Sequence, residues 1–491
     1  MPKKERPMHS AWPTLLLVVA RAATAGARPL HDAAGHALVA PATSTQPPAP
    51  GYGGGGSPSG FSSSFTIYSS PIALRYGEVS NYHYDGGEQP PDLPLPREVV
   101  ERYADGTRHM AVSNFTVDFV RRHADGSETS VPQYELYDHH HFVQINDPDG
   151  ERLQTFGASF EFRHSQFGYQ HPYRRVMTRP TSWVPYIHVI NLKDPAAPFD
   201  GRPSPLLQCP CTPQRVIDLD IATIDGLVIG LQCPPALAGN PACSLSTYIG
   251  GTHCCERGLF VRDTTACAQP GCTEYPVDVA YLKTTFYYED VTPATRNIHE
   301  MTCCDLAADH REVSNVEFDI VPCEASLRGT AGCVRTFSSV LPLDIHAAPG
   351  SSGAGYTDVV ELAYALPHVH EGGLSITLQD AATNATLCAA SRADRGIRYG
   401  GGRAAGDEED FITGFRTCTW SPANAPRLPR NHPLRITAVY DASRYITGAM
   451  ARFVIAGYDA TGRMLPDLHM RAASSARHSS SRHMRMHRRH F

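Results

Sequence analysis

Hydrophobic and polar residues alternate through much of the middle of the chain, and turn residues separate the alternating runs. Phe115, Val117 and Phe119 alternate with polar neighbours, and Asp-Gly pairs at 105–106, 125–126 and 149–150 predict hairpin turns. Further runs with strand character span 186–192, 279–288, 316–321, 356–366, 374–378 and 453–458. Helical periodicity is almost absent. Strands of this length and spacing predict an all-β fold made of antiparallel sandwiches.

The length of the patterned region predicts two sandwiches rather than one, because a single sandwich rarely needs about 400 residues. We predict an N-terminal β-sandwich over 65–335, with a cysteine-rich insertion, and a C-terminal β-sandwich over 336–460. A Pro/Gly/Ser-rich stretch places a flexible leader over 28–64. Six Arg and four His, without any acid, lie in 471–491, so 461–491 is interpreted as a solvated basic tail.

The N-terminus has the layout of a secretory signal. Three basic residues precede an apolar run over 15–20, and small residues over 23–27 give an A-x-A cleavage pattern. The interpretation is a signal peptide over 1–27 and a secreted or lumenal protein; a disordered tail is the alternative. The apolar run is much shorter than the roughly 20 residues of a membrane span, and no later run is longer, so no membrane span is expected.

Composition narrows the function classes. The chain has 491 residues, 42% of them hydrophobic and 19% charged, with 40 Gly and 40 Pro, so a wholly disordered protein is excluded. The net charge of −6 provides no general cationic field for nucleic acid. In a secreted chain the triplets at 114–116 and 384–386 would accept N-linked glycans.

The 14 cysteines predict a disulfide framework rather than a zinc site, because the chain has no C-x-x-C pair. Twelve of them lie between Cys209 and Cys333, so that region is predicted to be rich in loops and held by disulfides. Cys388 and Cys418 are separate from the others and could bridge each other within the C-terminal sandwich.

Histidine is abundant, with 24 residues, and three positions inside predicted strands are candidates for chemistry. In the triplet at 139–141 successive side chains point to opposite faces of a strand, yet two neighbours could reach one metal at a strand end or a bulge. His368 and His370 share one face by their i, i+2 spacing, which suits bidentate metal binding. His188 is alone in an apolar run. Each position could also hold an ordinary hydrogen-bonded histidine.

Taken in order, these motifs resemble known proteins. The histidine triplet, the histidine in an apolar strand, H-x-H and then Thr-Gly-Ala-Met at 447–450 resemble the copper type II, ascorbate-dependent monooxygenases, namely the peptidylglycine alpha-hydroxylating and dopamine beta-hydroxylating enzymes. Over 65–458, with gaps, the chain more closely resembles the plant and algal stress up-regulated Nod 19 family. That likeness is carried by the segments 250–255, 315–319 and 446–450 and by the glycine pair after H-x-H.

The resemblance implies two tandem jelly-roll-like sandwiches, each with one copper ion facing a solvent-filled cleft. The first copper would take His139, His140 and His188, although His140 with His141 fits the pattern almost as well. The second would take His368, His370 and Met450, and these three would form the catalytic site. Imidazoles suit both oxidation states of copper, and a thioether favours Cu(I).

The implied reaction is hydroxylation of a substrate C–H bond, with ascorbate as the reductant and dioxygen as the co-substrate. Leu366-Pro367 stands where the peptide-hydroxylating members hold a basic residue for the substrate carboxylate, and Val454 stands where they hold a tyrosine. A peptide-glycine substrate is therefore not expected, and the substrate is unidentified. Two alternatives stay open: a non-catalytic, stress-related extracellular binding or structural protein that keeps this fold, and zinc or another structural metal at H-x-H.

Overall fold

β-strands dominate the structure, a computed structural model that describes residues 62–82, 92–146, 152–195, 199–201, 227–228, 259–260, 275–301, 304–306, 318–320, 322–343, 359–429, 431–444 and 446–459. The strands in the N-terminal half are β1 Ser62–Tyr68, β2 Ile72–Leu74, β3 Glu78–Tyr82, β4 Met110–Arg122, β5 Glu128–Ser130, β6 Leu136–Asn146, β7 Arg152–Ala158, β8 Tyr173–Met177, β9 Ser182–Asn191, β10 Leu227–Val228 and β11 Leu259–Phe260.

The remaining strands are β12 Asp278–Asp290, β13 Arg296–Met301, β14 Phe318–Ile320, β15 Val334–Pro342, β16 Val359–Val369, β17 Gly373–Asp380, β18 Thr386–Ser391, β19 Ile397–Tyr399, β20 Ile412–Phe415, β21 Cys418–Thr419, β22 Arg427–Pro429, β23 Pro433–Asp441, β24 Ile446–Ala449 and β25 Ala451–Asp459. Helix α1 is Arg97–Tyr103, and 3-10 turns span Phe160–Arg163, Ala325–Leu327 and Ala331–Cys333. The predicted all-β class is confirmed.

An 11-stranded sheet extends across both predicted sandwiches. Its main path is β1-β12-β4-β8-β13-β25-β16-β21, with β2, β5 and β22 paired at its sides. Strands β13 and β25 pair antiparallel, with Ile298 opposite Tyr458, so this sheet is continuous across the predicted boundary at 335. The pairing of β13 with β8 is parallel, which departs from a purely antiparallel expectation. The domain limits themselves stay a prediction.

A five-stranded sheet in the order β11-β3-β9-β6-β7 packs against the N-terminal part of the large sheet. Phe156 of β7 contacts Phe115 of β4 and Phe286 of β12, with ring centroids 5.3 and 4.9 Å apart. Phe115, Val117 and Phe119 are all buried, as their alternation predicts. Each buried aromatic or aliphatic side chain contributes roughly 1.5–3 kcal/mol of transfer free energy, so these side chains fix which face of β4 points inward.

A four-stranded sheet in the order β15-β23-β17-β18 belongs to the C-terminal part of the chain. The predicted Cys388–Cys418 disulfide is confirmed, with an S–S distance of 2.05 Å, and it ties β18 of this sheet to β21 of the large sheet. Cys323 and Cys333 form a second bridge. Cys304 is also disulfide-bonded. The other nine cysteines lie outside the described residues.

The turn predictions have mixed outcomes. The pair 125–126 joins the antiparallel strands β4 and β5, as predicted, and the pair 149–150 lies outside the described residues. The hairpin predicted at 105–106 is wrong, because these residues follow α1 rather than a strand. This helix buries only Val99 and Tyr103, one turn apart. Seven residues are too few for a helical period to stand out from the sequence.

The predicted signal segment, leader and basic tail, together with most of the cysteine-rich region, lie outside the described residues. Among the residues that the structure does describe, no helix is long and apolar enough to cross a membrane. Of the two glycosylation triplets, Asn114 is half-buried within β4, whereas Asn384 is exposed in the turn between β17 and β18. Secretion and glycosylation stay predictions.

Candidate metal centre

A β-bulge in β6 directs two neighbouring histidines to the same region. Asp138 lies opposite Val189 of β9, but His140, two residues later, lies opposite His188, the next residue along β9, so His139 is the extra residue. A bulge interrupts the strict alternation of side chains. The imidazoles of His139 and His140 consequently lie with ring centroids 4.4 Å apart.

His188 of β9 completes a first set of imidazoles. It is fully buried, lies opposite His140 in the antiparallel β6–β9 pair, and stacks against His139 at 4.7 Å between centroids. The flanking residues Ile187, Val189 and Ile190 are buried as well. This strand therefore holds one imidazole in an apolar layer, in direct contact with the bulge in β6.

The H-x-H motif lies at the C-terminal end of β16. His368 and His370 are 5.0 Å apart between ring centroids, and both are buried. The chain then turns sharply at Gly372, whose φ is +92°, and re-enters the four-stranded sheet as β17. A Cβ at Gly372 would lie 2.6 Å from Ile446 Cδ1, and one at Gly373 would lie 2.4 Å from Val369 Cγ2. The glycine pair thus allows the chain to reverse immediately after the two histidines.

Met450 lies between β24 and β25 and is buried. In the antiparallel pair of β16 with β25, Val369 lies opposite Ala451, and these two residues precede His370 and follow Met450, respectively. The structure therefore brings the backbone at Met450 next to the end of β16, where H-x-H lies.

The imidazoles of the two sets form a single group, which we call the histidine cluster: His139, His140, His188, His368 and His370. His370 lies 5.0 Å from His139 and 6.0 Å from His140, and His368 lies 6.1 Å from His140, all between ring centroids. Potential ligand atoms of His139, His140 and His370 lie within 4.8 Å of one another.

This geometry differs from the expected pair of separate sites across a solvent-filled cleft. None of the five side chains is more than 4% exposed. Phe160 covers His368 and His370, with centroids 5.3 and 5.6 Å away, and Phe415 lies 6.1 Å from His368. The bulge in β6 and the end of β16 meet directly, which leaves the imidazoles of both sets in one buried cluster.

Burial also sets the electrostatics of the cluster. The pKa of His140 is lowered well below its ordinary value, first by burial and then by the neighbouring imidazoles. A neutral imidazole keeps a nitrogen lone pair for a metal ion, whereas an imidazolium does not. Burial has the opposite effect on an acid: it raises the pKa of Glu371, the residue that follows H-x-H.

Glu161 is a member of the site that sequence patterns did not reveal. It lies on the 3-10 turn at Phe160–Arg163, is 1% exposed, and places Oε2 3.4 Å from Nδ1 of His368. A carboxylate beside one ring nitrogen orients the ring and leaves the other nitrogen for a metal. Nothing in the spacing of the chain connects Glu161 with His368, which is more than 200 residues away.

Tyr137 and Glu371 form a second polar contact beside the cluster. The Tyr137 hydroxyl donates a hydrogen bond of 3.1 Å to Glu371 Oε2, and the tyrosine ring stacks on Phe160 at 5.4 Å. Both residues adjoin histidine motifs in the sequence, so their nearness to the cluster was foreseeable, although their contact was not. It links β6 to the turn after β16.

His141 lies apart from the cluster. Its Nδ1 is hydrogen-bonded to Asp138 Oδ2 at 2.6 Å, and its ring packs edge-on against Phe119 and Phe162. Of the alternatives for the triplet, the structure therefore brings His139 and His140 to the cluster and turns His141 toward the aromatic core.

The residues present fit a transition-metal ion. Two nitrogens on one ion lie at most about 4 Å apart, because each metal–nitrogen bond is about 2 Å, so the three nearest imidazoles need only small rotations to share one. Within the described part of the chain, the buried Nε2 of His368 has no hydrogen-bond partner. Buried polar atoms are normally satisfied, and a bound ion would satisfy this one. The buried carboxylate of Glu161, beside His368, would offset part of the ion's charge.

Comparison with known proteins gives one informative similarity. No curated protein matches the chain. Among solved structures, the functional form of the mosquito-larvicidal Cry4Aa toxin from Bacillus thuringiensis is 9% identical, with a TM-score of 0.15, over 83% of this chain and 59% of the toxin's length. Residues 242–458, which include His368, His370 and Met450 but not the histidines of β6 and β9, match the family described as Stress up-regulated Nod 19.

Proposed function

We propose that the protein binds copper through the histidine cluster and Met450. The observation that carries this proposal is the convergence of five buried imidazoles from β6, β9 and the end of β16, three of them with ligand atoms within 4.8 Å. Imidazole and thioether ligands favour copper over hard cations such as Mg²⁺ and Ca²⁺, which prefer oxygen.

We further propose that the protein is an ascorbate-dependent monooxygenase, which uses the bound copper to hydroxylate a C–H bond of an unidentified substrate. Bound copper would supply the electron transfer and the activation of dioxygen. The residues of this chain would hold the ligands in place, keep the His140 imidazole neutral and exclude bulk water from the centre. The order and spacing of the ligand motifs support this step, and the similarity to a stress-related family is compatible with it.

A second candidate is a stress-related extracellular binding protein that holds copper without turnover. The observation that favours it is burial, since every imidazole of the cluster is at most 4% exposed and Phe160 and Phe415 lie against His368 and His370. A substrate larger than a few atoms reaches such a centre only after these rings move. A protein that stores copper, or protects it from solvent, needs no such opening.

Copper uptake tests the binding proposal. Purified protein should take up at least one equivalent of copper, the ion that His139, His140 and His370 would share; a second equivalent would correspond to the separate site that the resemblance implies. His370→Ala should lose at least one equivalent, because this imidazole joins the two sets. His123→Ala is the matched control, since His123 is exposed at the hairpin between β4 and β5. Absence of uptake, or equal uptake by both variants, contradicts the proposal. Preference for Zn²⁺ over Cu(I) would assign a structural metal instead.

Oxygen consumption separates the two candidates. Copper-loaded protein given ascorbate should consume dioxygen if the centre is catalytic, and Met450→Ala should slow it because the thioether supports Cu(I). If the protein is fully loaded with copper but consumes no dioxygen when ascorbate is added, its function is to bind copper without turnover. An unchanged rate in Met450→Ala would show that the proposed ligand set of the oxygen-reacting centre is wrong.

A further inference from the structure

Tyr440 connects the two chain segments that would supply ligands to the second copper. This tyrosine, on β23, is fully buried. Its hydroxyl accepts a hydrogen bond of 3.1 Å from the backbone N–H of His370 and donates one to the backbone carbonyl of Met450. One side-chain atom is therefore bonded to the main chain of both residues.

The location of these two residues makes that bridge important. His370 lies one residue beyond the end of β16, and Met450 lies in the break between β24 and β25. Neither residue is inside a strand, where the ladder of backbone hydrogen bonds would hold its position. The Tyr440 hydroxyl adds a side-chain contact to the main chain at both positions.

The surroundings of Tyr440 keep its hydroxyl in place. Its ring packs edge-on against Phe337 of β15, with centroids 6.3 Å apart. The reversal at Gly372 passes so close that a Cβ there would lie 3.7 Å from Tyr440 Cδ1.

We propose that Tyr440 is a positioning residue for copper, setting the separation of the His370 imidazole and the Met450 thioether through their backbones. This inference rests on the proposed copper-binding function. Tyr440 itself provides no ligand atom; it acts through the two residues that it joins. Without its hydroxyl, the backbones of His370 and Met450 lose this shared contact, and the thioether is the ligand most affected because Met450 lies in the break between β24 and β25.

Tyr440→Phe tests this inference, because it removes one oxygen and keeps the ring. The matched control is Tyr364→Phe, since Tyr364 is also a buried tyrosine and its hydroxyl donates 3.0 Å to the carbonyl of Gln166, away from both ligand segments. The readouts are Cu(I) affinity and the sulfur contribution to the X-ray absorption spectrum of Cu(I)-loaded protein, with Met450→Leu as the sulfur-free reference.

We expect Tyr440→Phe to bind Cu(I) about 10–100-fold more weakly, the range seen for residues that support metal ligands, and to lose most of its sulfur signal while the imidazole signal stays. Tyr364→Phe should match the wild type in both readouts. A Tyr440→Phe spectrum identical to that of the wild type, or a sulfur signal unaffected in Met450→Leu, overturns the inference while the copper site stands. Failure of the wild type to take up copper overturns the proposed function.

Hydrogen exchange of the wild-type protein provides a second test should Tyr440→Phe not fold. Peptides that contain His370 and Met450 should gain protection together when Cu(I) is added, because one hydroxyl holds both segments. Protection of the His370 peptide without the Met450 peptide contradicts the role of Tyr440.

Discussion

His368 depends on a residue that is distant in sequence. Glu161 reaches its Nδ1 from a 3-10 turn in the N-terminal half of the chain, so the ring is oriented across the contact between the two halves. We expect Glu161→Gln to weaken Cu(I) binding about 10–100-fold, because the amide has no charge with which to fix the ring or raise its basicity. Competition with a chromophoric chelator measures the affinity.

Glu324→Gln is a suitable control for this prediction, because Glu324 is exposed and far from the cluster in the sequence. Equal Cu(I) affinity of the two variants would show that Glu161 does not support His368.

Gly372 is required where the chain reverses after H-x-H. Its φ of +92° is strained for other residues, and a Cβ would meet Ile446 Cδ1 at 2.6 Å. We expect Gly372→Ala to lower the free energy of unfolding by about 1–3 kcal/mol. Gly329→Ala, with a φ of +75° and no atom within 4 Å of the added Cβ, should cost only about 1 kcal/mol. Urea titrations compare the two, and equal losses would mean that the packing against Ile446 is unimportant.

Strands and their connections were partly foreseeable. The alternation of Phe115, Val117 and Phe119 predicted β4, because alternation is a pattern of neighbouring residues. The Cys388–Cys418 bridge was predicted because these are the only two cysteines in that part of the sequence. The bulge at His139 was foreseen only as a possibility. It depends on how β6 pairs with β9, and the local sequence does not specify that pairing.

The Cys388–Cys418 bridge joins two sheets, so its removal should affect more than one strand. It links residues 30 positions apart, and the constraint on an unfolded loop of that length is worth about 3.6 kcal/mol. Cys323–Cys333, with a separation of 10, should contribute roughly 1 kcal/mol less by the same relation. Paired Cys→Ser variants compared by chemical denaturation test the order, and a larger loss from the shorter loop would contradict it.

A hydrogen bond that responds to acid joins the last residue of β17 to the residue before β23. His432 Nε2 lies 2.8 Å from Asp380 Oδ1, and this contact, with help from Thr383 and the backbone N–H of Ala382, lowers the pKa of Asp380 to about 2. Since this folded-state pKa lies below the unfolded one, its stabilisation is present above about pH 4 and is lost as the pH falls toward 2.

Asp380→Asn should therefore be less stable than the wild type at pH 7, by on the order of 1–2 kcal/mol, and the difference should shrink between pH 4 and pH 2. Thermal unfolding across this pH range measures the effect. Asp410→Asn, at an exposed carboxylate, serves as the control. A difference that stays constant with pH would exclude the proposed titration.

Over the whole molecule, the histidine cluster is a contact between distant parts of the chain. β6 and β9 belong to the five-stranded sheet, whereas β16 belongs to the large sheet. An ion held by His139, His140 and His370 would connect these sheets. The merging of the two sets could not be predicted from sequence, because it results from the packing of one sheet against another and not from spacing along either strand.

Copper should consequently stabilise the entire fold. At a free concentration 100 times the dissociation constant, binding adds about 2.7 kcal/mol to the free energy of unfolding. The melting temperature should rise with copper, return to its starting value when a chelator removes the metal, and change less in His370→Ala than in His123→Ala. Scanning calorimetry provides the measurement. A melting temperature that is insensitive to copper would contradict an ion that joins the two sheets.

The three consecutive histidines of β6 make the register of this strand decisive for the centre. If β6 slipped by one residue along β9, His141 would take the position of His140 opposite His188. The same slip would move Val143 and Ile145, which are buried, to the other face of the strand. The two apolar residues beyond the triplet therefore select which of three identical side chains lies opposite His188.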